Sequence, residues 1–170
     1  DDTDLQNSYT ATQTVAGVYG MLDWNLSKKL RINAGVRAET TQMLLESEKI
    51  ANEDLSDEAA SEFRGTMNLV DVLPAFNLTY ELRKFDLSTT NLRIAASQSV
   101  ARPMFREKAP YSVFDFEVQE QQTGNTDLGR TLINNYDLRL EHFPGLGEII
   151  SLSLFYKQFD QPIEQVINST

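Results

Sequence analysis

The stretch Ala16–Leu26, AGVYGMLDWNL, decides the fold. Its even positions are Ala16, Val18, Gly20, Leu22, Trp24 and Leu26, and its odd positions after Gly17 are Tyr19, Met21, Asp23 and Asn25. A strand sends successive side chains to opposite faces, so period-two alternation predicts one apolar and one wet face. The next run keeps the phase: Leu30, Ile32, Ala34, Val36 and Ala38 alternate with Arg31, Asn33, Gly35, Arg37 and Glu39.

The same phase recurs down the chain, with lapses such as Phe155. It predicts six strands, about Thr12–Leu26, Lys29–Leu44, Asn68–Leu82, Asn91–Arg102, Ile133–Phe143 and Glu148–Phe159. Pro74, which has no N–H to give, is tolerable in the third strand only at an end, edge or bulge. Two architectures read this way. One is a barrel whose outside meets lipid and whose inside meets water. The other is a soluble periplasmic or extracellular β-barrel or sandwich that buries its even positions and binds a glycan or another ligand.

Connection lengths favour the first. Short turns at Ser27-Lys28, Arg83–Thr90 and Pro144–Gly147 alternate with long stretches at Leu45–Met67 and Pro103–Leu132. All short turns then share one rim, as outer-membrane barrels have it. The expected fold is all-β, an antiparallel up-and-down meander from a transmembrane barrel wall. Trp24, Tyr80, Tyr136, Phe143, Tyr156 and Phe159 near strand ends suit an interfacial girdle, although strands favour aromatics in any case.

Composition removes other classes. With 15 Lys+Arg against 25 Asp+Glu the net charge is -10, which argues against a nucleic-acid partner. There is no cysteine for a disulfide or thiolate site, and no apolar run long enough for a membrane helix. The start, Asp1-Asp2-Thr3-Asp4, does not read as a signal peptide. The single histidine, His142, falls in the even set near a strand end, reads as interfacial, and leaves neither a zinc site nor a Ser-His-Asp triad. Asp54–Gly65 has the acidity of a calcium loop but carries Ala59 at the sixth position and Gly65 at the twelfth; helical tendency through Glu53–Phe63 is the simpler reading. Gly145-Leu146-Gly147 needs only a hairpin. No catalytic residue, metal ligand or cofactor is expected.

Five segments, in order, resemble the barrel of TonB-dependent outer-membrane receptors: LRINAGVRAET (Leu30–Thr40), LPAFNLTYEL (Leu73–Leu82), LRIAASQSVARPMF (Leu92–Phe105), GNTDLGRTLINNYDLRLEHF (Gly124–Phe143) and LSLFYKQFDQPIE (Leu152–Glu164). Thr126 stands where the family commonly has proline, and Gly129-Arg130 where it has Lys-Pro. Nothing resembles the plug or the segment that TonB grasps, and Asn168-Ser169-Thr170 lacks the terminal aromatic of such barrels. The chain is therefore expected to be a partial barrel domain over 1–170, internal to a longer receptor of the bacterial outer membrane. The resemblance implies import of a large nutrient (an iron chelate, cobalamin or oligosaccharide) with TonB-supplied energy, a plug, and lipid around the barrel. Open edges and a bare apolar face predict that the isolated piece self-associates.

Arg31, Arg37, Glu39, Arg93, Arg102, Asp137, Arg139 and Glu141 are expected to face the lumen, most as cross-strand ion pairs; from the resemblance, Arg102 contacts a plug or loop. In the second long connection Phe105, Arg106, Tyr111, Phe114 and Phe116 are the candidate ligand contacts, since aromatics beside charges suit a sugar, chelate or peptide.

Overall fold

The computed structural model describes residues 9–47, 64–109, 112–115 and 120–166. Eight strands and one helical turn follow in order: β1 (Tyr9–Asn25), β2 (Leu30–Ser47), β3 (Arg64–Phe85), β4 (Ser88–Ala101), α1 (Phe105–Lys108), β5 (Ser112–Asp115), β6 (Glu120–Thr123), β7 (Thr131–Phe143) and β8 (Ile150–Asp160). Six form one sheet in the order β1-β2-β3-β4-β7-β8, with every neighbouring pair antiparallel. This is the meander that the alternation predicts. Within the second long connection, β5 and β6 make a separate two-stranded sheet that the alternation did not reveal.

The register joins like to like. One rung runs Trp24, Ile32, Leu78, Ile94, Leu138, Leu154, and the next Leu30, Tyr80, Leu92, Leu140, Leu152. Even positions of all six strands, as far as Glu81 on β3, thus share one face. A slip of one residue in any strand would have mixed the faces. That face is bare: Leu22 is 78% and Trp24 65% exposed, and Val72, Ile94, Leu138, Leu152 and Leu154 are exposed as well. A soluble sandwich would bury it, yet no described element covers it.

The bare face has polar limits. Towards the long connections, the rung Thr14–Gln42–Asn68 ends the apolar band on β1 to β3, with Leu44 alone beyond it. On β4, β7 and β8 the limit is Gln98–Asn134–Gln158, where Gln98 Nε2 donates to Asn134 Oδ1 at 3.0 Å; one half-buried pair, Val100–Leu132, lies beyond. Continued by one step, the β3–β4 register sets Gln98 level with Pro74, six residues along β3 from Asn68. The limit is level on β1 to β3 and again on β4, β7 and β8, and drops once, by these six residues; averaged over the five strand-to-strand steps this is about 1.2 residues per strand, which corresponds to a strand tilt of roughly 40°, within the range of transmembrane barrels. At the other end His142, half-buried, pairs through Nδ1 with Thr90 Oγ1 at 2.9 Å.

The strands overrun their expected ends. β2 continues to Ser47, and β3 runs from Arg64 to Phe85. The β3–β4 connection is a tight turn at Asp86-Leu87, with Asp86 at φ 53°, rather than the longer Arg83–Thr90. A bulge between Glu81 and Arg83 absorbs the extra residue. Ser27 Oγ caps the first hairpin, accepting from Lys29 N and Leu30 N. Pro74 sits where the β3–β4 ladder ends, at Ala75–Ser97, so its missing N–H costs no bond to β4. Beyond it β3 continues paired to β2 alone.

The small apolar core lies on the odd face, at the long-connection end. Met43, Leu45, Met67 and Ala109 are buried, with Tyr9, Ala11, Leu69 and Phe105 packed against them. This corrects the expectation of an odd face wet throughout. Where the second long connection lies back over β2 and β3, the odd positions turn apolar.

Candidate functional site

Charges on the odd face pair across strands. Arg31 grips Asp23 with two bonds, Nε–Oδ1 at 2.9 Å and Nη2–Oδ2 at 2.5 Å. Arg93 and Arg139 are ladder partners, which alone would repel. The buried Glu141 answers both, accepting from Arg93 Nε at 2.7 Å and meeting Arg139 Nε at 3.1 Å. Asp137 is exposed nearby, in a shallow hollow of about 280 Å³ whose polar lining includes Asn77, Thr79 and Ser153.

The densest cluster lies closer to the long connections. Glu39 and Asp71 face each other directly on the β2–β3 ladder. Arg37 donates to Glu39 through Nε, and its guanidinium spreads over Gly17, where a Cβ would stand 2.9 Å from Nη2. Arg102, at the end of β4, gives Nη2 to Glu39 Oε2 at 2.5 Å and Nε to Thr41 Oγ1 at 2.8 Å; its Nη2 lies 3.9 Å from Asp71 Oδ2. Arg130, just before β7, gives Nε to Asp71 Oδ1. Asp71 is 2% exposed, and its Oδ2 has no hydrogen-bond partner among the described residues.

Arg102 and Arg130 are the two roots of the second long connection, and the roots are tied to each other. Glu107 Oε2 accepts from Met104 N at 2.7 Å, closing the α1 turn. Asn125 N donates to Glu107 O at 2.8 Å. Lys108 is 2% exposed; its Nζ donates to Thr126 O and, at 2.8 Å, to Leu128 O. Burial holds the Lys108 pKa below the ordinary lysine range, with Asp127 opposing the shift. Asn125 Oδ1 accepts from Asp127 N, turning the backbone so that both carbonyls meet the ammonium. Gly124 has no substitute here, because a Cβ would lie 2.1 Å from Ala109 O. A cleft of about 420 Å³ separates this base from β3, lined by Arg64, Asn68, Leu69, Lys108, Leu128 and Arg130 among others.

Of the candidate ligand contacts, Phe105 is half-buried against the odd-face core rather than exposed, which makes it an anchor of the connection. Arg106 is exposed and is engaged with a neighbouring group. Phe114 belongs to β5, while Tyr111 and Phe116, like Glu53–Phe63, lie outside the described residues. Asp71 and Arg130 were not singled out from sequence. Asp71 carries the signal that found Glu39, a charge at an odd position between Val70 and Val72. Arg130 lies in a connection, where no periodicity marks it.

A tilted antiparallel sheet with one bare apolar face, one charged face and all long connections at one end is the wall of a transmembrane β-barrel. The chain belongs to the TonB-dependent receptor family: the family model described as "TonB dependent receptor-like, beta-barrel" matches residues 1–170. No characterised protein and no solved structure matches it. The family is one of transporters rather than enzymes, placed in the outer membrane of bacteria, and its full-length receptors work with a plug domain, a ligand and the TonB system.

Proposed function

We propose that this chain is a partial barrel domain of a receptor that binds a nutrient too large for porins and imports it with TonB-supplied energy. The candidates are an iron chelate, cobalamin or an oligosaccharide. The observation that carries the reading is the even-position register, shifted only at the β3 bulge between Glu81 and Arg83, which gives six strands one common lipid-type face. In the closed barrel the odd face lines the lumen. Arg31, Arg37, Glu39, Arg93, Arg102, Asp137, Arg139 and Glu141 then form a hydrated wall beside the plug. The second long connection stands at the outer rim and takes part in ligand capture, with Arg106 and the aromatics at 111, 114 and 116 as the contacts. The parent sits in the bacterial outer membrane, surrounded by lipid. Cut out of it, the chain self-associates through the edges of β1 and β8, to which no further described strand pairs.

Uptake tests this directly. Cells with and without the receptor are given labelled iron chelate, cobalamin or oligosaccharide, each with and without a protonophore. One substrate class should be lost both on deletion of the receptor and on collapse of the proton gradient. Uptake that persists without the gradient would refute energy-coupled import.

A further inference from the structure

We propose that the ladder pair Glu39–Asp71 positions the second long connection by holding its two roots in adjacent sockets. The inference rests on the reading that this connection serves ligand capture. Neither carboxylate need touch a ligand.

Two carboxylates directly opposite on a ladder destabilise the sheet unless cations answer them. Arg37 answers Glu39 from within β2. The other two cations are not part of the β2–β3 hairpin. Arg102 comes from the end of β4 and Arg130 from the approach to β7, 63 and 59 residues from their respective partners. The wall thus carries a buried charge defect that the two roots repair. Withdrawing Arg130 would leave Asp71 with only the 3.9 Å approach of Arg102, which is already committed to Glu39 and Thr41. Because breaking a buried pair leaves an uncompensated charge, the seated arrangement is strongly preferred over any in which one root is out. The ties through Lys108 and Asn125 join the roots, so both seat or leave together. Residues 102–109 and 124–130 then form a fixed base, and the register of the connection over the wall is set by one pair of carboxylates.

The test uses the receptor carrying this chain, in detergent, with spin labels at the exposed positions Asn68 and Met104 in one preparation and Asn68 and Asp127 in another. Each distance distribution should be narrow in the parent. Arg130→Gln should lose the narrow component in both pairs, and Arg130→Lys, which keeps the charge, should restore it. Asp71→Asn should resemble Arg130→Gln, and the two together should add nothing further. A narrow distribution in Arg130→Gln would overturn the proposal, as would broadening that Arg130→Lys fails to rescue. If Asp71→Asn does not insert, Arg130→Gln, which lies outside the strands, decides alone. No ligand enters the measurement, so failure of the capture reading would show in uptake while leaving these distances unchanged.

Discussion

Leu138→Arg is the substitution with the sharpest consequence. On β7 the apolar band runs between Asn134, in the polar rung with Gln98 and Gln158, and His142, bonded to Thr90. Leu138 is midway. The span between those limits is about 26 Å along the strand at ~3.3 Å per residue, or roughly 20 Å of height at 40° tilt. That places Leu138 at the centre of the hydrocarbon, where arginine on the lipid face of a barrel costs ~2–4 kcal/mol. The folding equilibrium should fall by about 30- to 900-fold, one factor of ten per ~1.4 kcal/mol. Asn135→Arg, on the odd face of the same strand, loses the half-buried Nδ2 bonds to Ser99 Oγ and to the carbonyls of Ser97 and Ile133, and should cost about 1 kcal/mol, still less than Leu138→Arg. The assay is denaturant unfolding of the receptor in bilayers, read by the heat-dependent mobility of the folded barrel. Equal effects of the two substitutions, or a larger effect at Asn135, would refute the facing of this strand.

Glu141→Gln leaves Arg93 and Arg139 opposed; both are about half exposed, so water screens the loss to about 1 kcal/mol, measured as a shift in the urea midpoint. Gly124→Ala drives a Cβ into Ala109 O and should cost ~1–3 kcal/mol of local stability, seen as faster proteolysis within the connection. Lys108 binds its proton less tightly in the folded base than in the unfolded chain. Its contribution to local stability is therefore lowest below the lowered folded value and rises as pH climbs through that value towards the ordinary one. Hydrogen exchange at Asn125 and Leu128, corrected for the intrinsic rate, should become more protected over that interval; Lys108→Met should abolish the trend.

The alternation carried most of the wall, because period two is a local property and a lipid face is apolar over a long run of rungs. It failed at the strand ends. Leu44-Leu45 interrupts it, since Leu45 is buried beneath the folded-back connection while Leu44 is exposed on the other face. Two apolar faces at one level read as the end of a strand. The Glu39–Asp71 cluster was half legible: Glu39 stands out by parity and Arg102 by the resemblance around Arg102-Pro103, but their contact joins positions 63 residues apart. The motifs around Arg102-Pro103 and Gly124-Asn125 read as separate signatures. The structure joins them as one base through Glu107, Lys108 and Asn125.

The most direct test is an accessibility scan along β7. Single spin labels are placed in turn from Leu132 to His142 in the membrane-inserted receptor, and each is exposed to oxygen, which concentrates in lipid, and to a water-soluble nickel chelate. The wall described here predicts period-two alternation, with oxygen dominant at 136, 138 and 140 and nickel at 135, 137, 139 and 141. Reversed phase, or no alternation, would contradict it.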